Sequence, residues 1–422
     1  MLVEFRVKNY RSFRDENVLS LVASKDITLR ETNAVSTQMK AAPWLLKSAV
    51  IYGPNASGKS NLVRALQFMQ AAVVESAARI HPGQQLAVQN FRLDPESMAQ
   101  PTEFEVTFIV DRVRYQYGFT LTPKRVVSEY LLVYKAFKPQ KWFERWFDEA
   151  TSSEHYEFGP GLKGPRSLWE GATRPNSLFL STAVQLNSEM LRPVYDWFAN
   201  RLIVYNEQSR LNPEISIQWL NRPGGREEIL RFLESADISI ADIAVETRQI
   251  PNETVHVDLL AGKTMVRREE MEERVIRVTH TTDKGKAVFD LMDESGGTRI
   301  LLFLAAPILD ILRKGLTLVV DEFDTSLHPL LVRELIRRFH QPEVNTGAGQ
   351  LIFTTHDASL LDADNLLRRD QIWFVEKNRD QESKLFALVE FSPRKNEALG
   401  RGYLMGRYGG IPFFEQDLQE FH

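Results

Sequence analysis

An α/β fold built on a largely parallel core sheet is predicted by three stretches of the sequence. Residues 48–52 form an apolar run that ends in Gly53-Pro54-Asn55-Ala56-Ser57-Gly58-Lys59-Ser60, after which Leu62, Leu66, Met69 and Val73 recur at helical spacing. From 298 onward a helix (298–314), a strand (316–320), a helix (329–339), a strand (350–354) and a last strand (371–375) alternate, the pattern of a parallel sheet. Between them FEVTFIV, YQYGFTL and YLLVYKAF are short, aromatic and β-branched, and Asp-Arg and Thr-Pro break them into antiparallel strands.

The remaining elements follow in order. Val3, Phe5 and Val7 alternate with Glu4, Arg6 and Lys8, which predicts a half-buried first strand, with a second short strand in 18–23. Residues 136–176 are rich in Gly, Pro and charge and give no clear period. Residues 186–275 read as mainly helical, with one strand-like stretch at His-Val-Asp-Leu-Leu. The mixed-charge run at 267–277 reads as a solvated surface.

Composition narrows the class. The 422 residues are 43% hydrophobic and 26% charged, the mix of a globular protein large enough for two or three lobes. Net charge is −4, so no global basic excess indicates nucleic-acid binding, although a local patch stays open. With no cysteine, disulfides, thiolate zinc sites and iron–sulfur clusters are excluded. The longest apolar run, Ile300 to Leu309, is interrupted by Pro307 and is about half the length of a membrane span. The N-terminus has no secretory pattern, and the expectation is a cytoplasmic protein without membrane contact.

The chemistry concentrates at a few strand ends. In G-x-x-x-x-G-K-S, glycines let backbone N–H groups converge on phosphate oxygens at a helix N-terminus. Lys59 is placed to reach the β- and γ-phosphates, and the Ser60 hydroxyl to ligate Mg²⁺. The apolar strand at 316–320 ends in Asp321-Glu322, so Asp321 is a candidate Mg²⁺ ligand and Glu322 a candidate to orient or deprotonate water. The strand at 351–355 ends at His356, which is placed to touch the γ-phosphate and the water. Ser295-Gly296-Gly297-Thr298 opens a helix and forms a second candidate anion site.

This order resembles the ABC-type ATPase heads of the SMC, RecF and OLD families. The resemblance is closest to compact bacterial AAA family ATPases of the abortive-infection type. It rests on N-Y-R-S-F at 9–13, G-P-N-A-S-G-K-S-N-L at 53–62, T-T-H-D at 354–357, R-D-Q-I-W-F-V-E-K at 369–377 and G-R-Y-G-G-I-P at 406–412. It implies an α/β ABC-type head with a mixed, largely parallel core sheet, an antiparallel β subdomain and a helical insertion. The expected layout is phosphate loop in 1–90, antiparallel β part in 91–180, helical lobe in 181–290, and the signature, acidic strand and switch histidine in 291–422.

By the same resemblance the cofactors are ATP and Mg²⁺. The nucleotide would lie on Gly53 through Ser60, Asn61 and Arg11. Glu322, His356 and Lys59 would be catalytic, Ser295 to Thr298 would act on a partner's nucleotide, and 324–329 would be the D-loop, beginning at Asp324. Gln185 is the candidate Q-loop metal contact, with Gln89 as alternative. The implied partners are a second copy, as a homodimer or higher oligomer, and a separate effector, a nuclease or toxin, in anti-phage defence or toxin–antitoxin control. Only 66 residues follow His356, too few for an appended nuclease domain of ordinary size. Two other readings stay open: a RecF- or SMC-like ATPase that binds DNA directly, and a nucleotide-gated binder that does not hydrolyse. In the tail, Ile411, Phe413, Phe414 and Phe421 either dock on the chain's own core or contact a partner.

Overall fold

The computed structural model describes residues 1–135, 138–205, 213–258, 263–325, 327–393 and 397–411; of 251–258 and 263–269 it describes the backbone only. Phe413, Phe414 and Phe421 lie outside the described residues. Contacts divide the chain into two units, one of 1–209, 311–325 and 332–422, the other of 210–310 and 326–331.

The first unit is mixed α/β, with one largely parallel and one antiparallel sheet. The core sheet has the strand order Leu202–Tyr205, Thr317–Val320, Gln350–Thr354, Ser48–Tyr52, Ile372–Lys377, Ser383–Ala387. All its pairings are parallel except the last. Ser48–Tyr52 and Gln350–Thr354 are buried throughout, as near-continuous apolar runs inside a parallel sheet must be. The second sheet is antiparallel, in the order Ser153–Phe158, Gln140–Asp148, Val126–Tyr134, Val113–Leu121, Thr102–Val110, Leu2–Lys8, Asn17–Ser20. Phe5 and Val7 are buried on one face of its strand, as their alternation predicts, but the register shifts between Leu2 and Glu4, so Leu2 joins them in the main core while Val3 packs in a separate cluster with Ala42 and Leu45. The stretch 136–176, unreadable by period, supplies the two outer strands of this sheet and the helix Arg166–Ala172.

The helix Lys59–Glu75 joins the two sheets. It buries Leu62, Val63, Leu66, Met69 and Val73 in a cluster that includes Ile51, Val319 and Ile352 from the core sheet and Phe104 and Phe119 from the antiparallel one. Gln350 links the sheets at their other end. Its Oε1 accepts the Leu2 N–H at 2.6 Å, and its Nε2 donates to the Leu2 and Leu46 carbonyls, both at 3.0 Å. This buried amide satisfies three backbone groups from two strands, which would otherwise be stranded away from water.

The second unit holds the helices Pro213–Leu220 and Gly225–Glu234 and an antiparallel sheet in the order Asp242–Asp258, Lys263–Thr282, Gly285–Asp290. The expected mainly helical character of 186–275 therefore stops near 235. Glu, Arg and Met at 267–277 favour helix in isolation, but here the segment is part of the strand Lys263–Thr282. Cross-strand pairs such as Arg248–Glu273 (2.7 Å) and Arg277–Glu246 (2.9 Å) link the hairpin's two strands. The helix Gly296–Lys314 begins in this unit, and the Ser216 hydroxyl donates to its Leu302 carbonyl at 3.2 Å. No helix among the described residues is long and apolar enough to cross a membrane.

Candidate nucleotide site

The loop after Ser48–Tyr52 turns where only glycine fits. A side chain at Gly53 would meet the Val375 carbonyl oxygen at 2.3 Å, and one at Gly58 (φ +116°) the Ser383 hydroxyl at 2.3 Å. Ser383 belongs to the antiparallel edge strand, and its hydroxyl donates to the Ser57 carbonyl (2.5 Å) and pairs with the Ser12 hydroxyl (2.8 Å). Asn61, in the first helical turn, also donates to the Ser12 hydroxyl at 2.8 Å. The turn at 9–13 thus holds the phosphate loop from outside, through residues remote in sequence.

Lys59 is buried, and its ammonium donates to the carbonyls of Gly53 (2.6 Å) and Pro54 (3.1 Å) across the loop. Burial lowers its pKa, and the carboxylates of Asp321, Glu322 and Asp324 oppose that shift. The cation therefore sits within reach of the acidic strand end, poised between loop carbonyls and any phosphate oxygen that enters.

The acidic end follows from strand order. Thr317–Val320 is one strand removed from Ser48–Tyr52, with Gln350–Thr354 between them. Thr354 at the end of the intervening strand donates its hydroxyl to Asp321 Oδ1 at 2.6 Å and accepts the Glu322 N–H at 2.7 Å. Asp321 Oδ2 is buried without a hydrogen-bond partner. Glu322 has a left-handed backbone, φ 53°, and its carboxylate accepts from the Thr325 hydroxyl at 3.2 Å. Such a conformation costs a residue with a Cβ about 1–2 kcal/mol, and strain of this kind gathers at functional sites.

Asp324 accepts the His356 N–H at 3.3 Å on one oxygen, while its other oxygen is buried and unpaired. The exposed His356 lines a cleft of about 760 Å³ together with Gly53, Pro54, Asn55, Ala56 and Ser57. The far wall holds Glu376, Lys377, Gln381 and Ile411. Ser57 Oγ and Asp357 Oδ2 are also buried without partners. Each such atom costs about 1–3 kcal/mol, so four around one loop mark a place for polar ligands.

A metal fits this donor set. Among the described residues no group of three or more acidic or histidine side chains could cage an ion by itself. Mg²⁺ commonly takes one or two protein oxygens and completes its shell with phosphate and water. The unpaired Asp321 oxygen, with Ser60 at the start of the helix after the loop, is such a partial set.

Arg11 (φ 51°) donates its backbone N–H to the Gln89 carbonyl at 2.8 Å, and its buried Nε has no partner. It lines a smaller hollow with Ser12, Asn61, Gln89, Lys377 and Gln381, and the last two also line the phosphate-loop cleft. Gln89 thus lies beside the site, whereas Gln185 does not line it. Residues 179–185 form the helix Phe179–Gln185, and the buried Glu129 carboxylate accepts the N–H groups of Phe179 (2.6 Å) and Leu180 (2.9 Å) at its start. Gln185 is left exposed at the far end of that helix.

In the second unit, Ser295 caps the helix Gly296–Lys314. Its hydroxyl accepts the Thr298 N–H at 3.1 Å and pairs with the Thr298 hydroxyl at 2.9 Å. A side chain at Gly296 would meet nothing within 4 Å, so the chain's own packing gives no reason for glycine there. Thr354, Ser12 and Ser383 were not assigned from sequence. Thr354 and Ser12 lie inside the quoted T-T-H-D and N-Y-R-S-F stretches, while Ser383 carries no local signal.

Residues 48–362 match the family described as "AAA domain, putative AbiEii toxin, Type IV TA system". Among solved structures, the SMC head domain from Thermotoga maritima aligns with 92% of this chain and 98% of its own, at 16% identity and a TM-score of 0.41. The SmcHead bound to the C-winged helix domain of ScpA aligns with 92% of this chain and 97% of its own, at 15% identity and a TM-score of 0.38. No curated protein matches the chain.

Proposed function

The chain belongs to the AAA-domain family of the AbiEii type, and from that premise we propose an Mg²⁺-dependent ATPase of the ABC type whose subunits close in pairs around ATP and switch a separate effector. The setting that suits this reading is cytoplasmic, in bacterial anti-phage defence or toxin–antitoxin control, with a nuclease or toxin as effector. The observation that carries the catalytic part is the junction at Thr354, which joins Asp321 and Glu322 one strand away from the phosphate loop.

Each residue then has a defined task. Lys59 exchanges the Gly53 and Pro54 carbonyls for β- and γ-phosphate oxygens, while the loop N–H groups hold the remainder. The unpaired oxygen of Asp321 and the Ser60 hydroxyl would hold Mg²⁺, which when bound neutralises charge on the phosphates. Glu322 orients the attacking water and takes its proton. His356, tied through its backbone to Asp324, faces the same cleft and is placed to contact the γ-phosphate.

Pairing is supported by Gly296, where an open helix start leaves room for another subunit's nucleotide. Ser295 and the first N–H groups of that helix would cap a γ-phosphate held in the partner. The test of the ATPase reading is Lys59→Ala. Tight ATP binding or hydrolysis should be lost, and hydrolysis at the wild-type rate would remove the reading.

A further inference from the structure

A groove on the first unit, away from the phosphate loop, carries cations as the only charged side chains among its described lining residues. Lys40, Arg112, Arg114 and Lys135 surround a hollow of about 420 Å³ together with Gln38 and Tyr134, and no carboxylate among the described residues lines it. Among the described residues none of the four cations has an ion-pair partner, although the chain's net charge is −4. Arg114 lies over the Tyr134 ring at 3.7 Å, and the Tyr134 hydroxyl is oriented by Gln116 at 2.8 Å.

The backbone that presents Arg112 is strained. Asp111 and Arg112 form the two-residue turn between Thr102–Val110 and Val113–Leu121, with Val110 paired to Val113. Both have positive φ, 48° and 64°, where Asn-Gly or Asp-Gly would be relaxed. An arginine in the glycine position places a cation at the tip at the expense of the turn. The adjoining loop contributes Gln38, also at positive φ (61°). The groove lies at the end of the core strands opposite the site. Ile109 beside the turn donates to the Met1 carbonyl, and Leu2 meets Gln350, the first residue of the strand whose last is Thr354.

We infer that this groove binds a single-stranded nucleic acid, phosphates on the four cations and a base on the exposed side of the Arg114–Tyr134 stack. Guanidinium forks match phosphate oxygens, and Arg–aromatic stacks accept any base, so the site needs no sequence preference. A duplex keeps its bases stacked inside and offers nothing to that stack. The inference does not rest on the ATPase reading, and Lys59→Ala should leave it intact.

The test is fluorescence polarisation of a labelled 20-mer oligonucleotide, as DNA and as RNA of one sequence, from low to moderate salt. Four single-strand phosphate contacts give a slope of log K against log salt of about −3. The double variant Arg112→Gly/Arg114→Gln should halve the slope and weaken binding about tenfold at 0.1 M salt, on the scale of losing two contacts. Arg112→Gly alone relieves the turn, so its thermal midpoint should hold or rise while affinity falls, an outcome that damaged folding would not produce. Tighter binding of either nucleic acid supports the inference and names the source. No binding by the wild type, unchanged binding by the double variant, equal binding of the duplex, or equal competition by polyglutamate, which would indicate an acidic protein partner, overturns it.

Discussion

The Thr354 hydroxyl donates to Asp321 at 2.6 Å and at the same time accepts the N–H of Glu322 at 2.7 Å. One threonine on the central strand therefore sets the direction of the candidate metal ligand and the backbone of the candidate base. Its bond occupies Oδ1 and leaves Oδ2 of Asp321 as the free face. This relation follows from the sheet order, in which the strand ending at Thr354 separates the acidic strand from the phosphate-loop strand.

Thr354→Val keeps the shape and removes both hydrogen bonds. Hydrolysis should fall about 10- to 100-fold, the range for losing a group that orients a metal ligand. The Mg²⁺ concentration for half-maximal rate should rise, while metal-free nucleotide binding stays near wild type. Thr354→Ser should restore both. Steady-state hydrolysis over a magnesium titration checks this, and an unchanged magnesium dependence in Thr354→Val would count against the role.

Shared sites predict complementation between two inactive variants. Ser295→Arg fills the open space at the helix start and should stop hydrolysis while leaving nucleotide binding intact. Lys59→Ala removes binding. Mixed together, they should regain part of the activity, because one interface of the mixed pair has both intact halves. Heterodimers that form yet stay inactive at every ratio would contradict the geometry.

His340 predicts an acid sensitivity of the fold. It is buried, pairs with the Ser48 hydroxyl at 2.9 Å under the phosphate-loop strand, and burial pushes its pKa down to about 3. Unfolded, it would titrate near 6.5, so between those values the unfolded chain binds the extra proton. Its stabilising contribution is complete above about pH 6.5 and is lost as pH falls toward 3. The loss is about 2 kcal/mol by pH 5, at about 1.4 kcal/mol per pH unit. Denaturation between pH 7 and 5 should show a flatter dependence in His340→Asn than in wild type. Identical slopes would assign the effect elsewhere.

The site was legible where chemistry and local pattern coincide. Gly53 to Ser60 lies between an apolar strand and a periodic helix, so its conformation is dictated by neighbours in sequence. Asp321-Glu322 could be read because a buried strand has few reasons to end in two carboxylates. Ser383 could not, since its bond to the Ser57 carbonyl joins an edge strand to the phosphate loop across 326 residues. The candidate Gln185 lies at the end of a helix whose first N–H groups the buried Glu129 carboxylate caps, and only the fold brings Glu129 there. The hairpin at 242–282 was hidden for a related reason. Along the chain its charged residues follow a spacing that looks helical, while in the hairpin they pair across strands.

Glu322→Gln tests the central claim most directly, because it keeps size and one acceptor oxygen but removes the base. Phosphate release and particle mass should be measured together, with ATP and Mg²⁺. The account predicts retained ATP binding, hydrolysis lower by about 10²-fold or more, and accumulation of an ATP-bound dimer or larger assembly. Hydrolysis at the wild-type rate would place the base elsewhere, and arrested hydrolysis with no change in mass on adding ATP would contradict closure around the nucleotide.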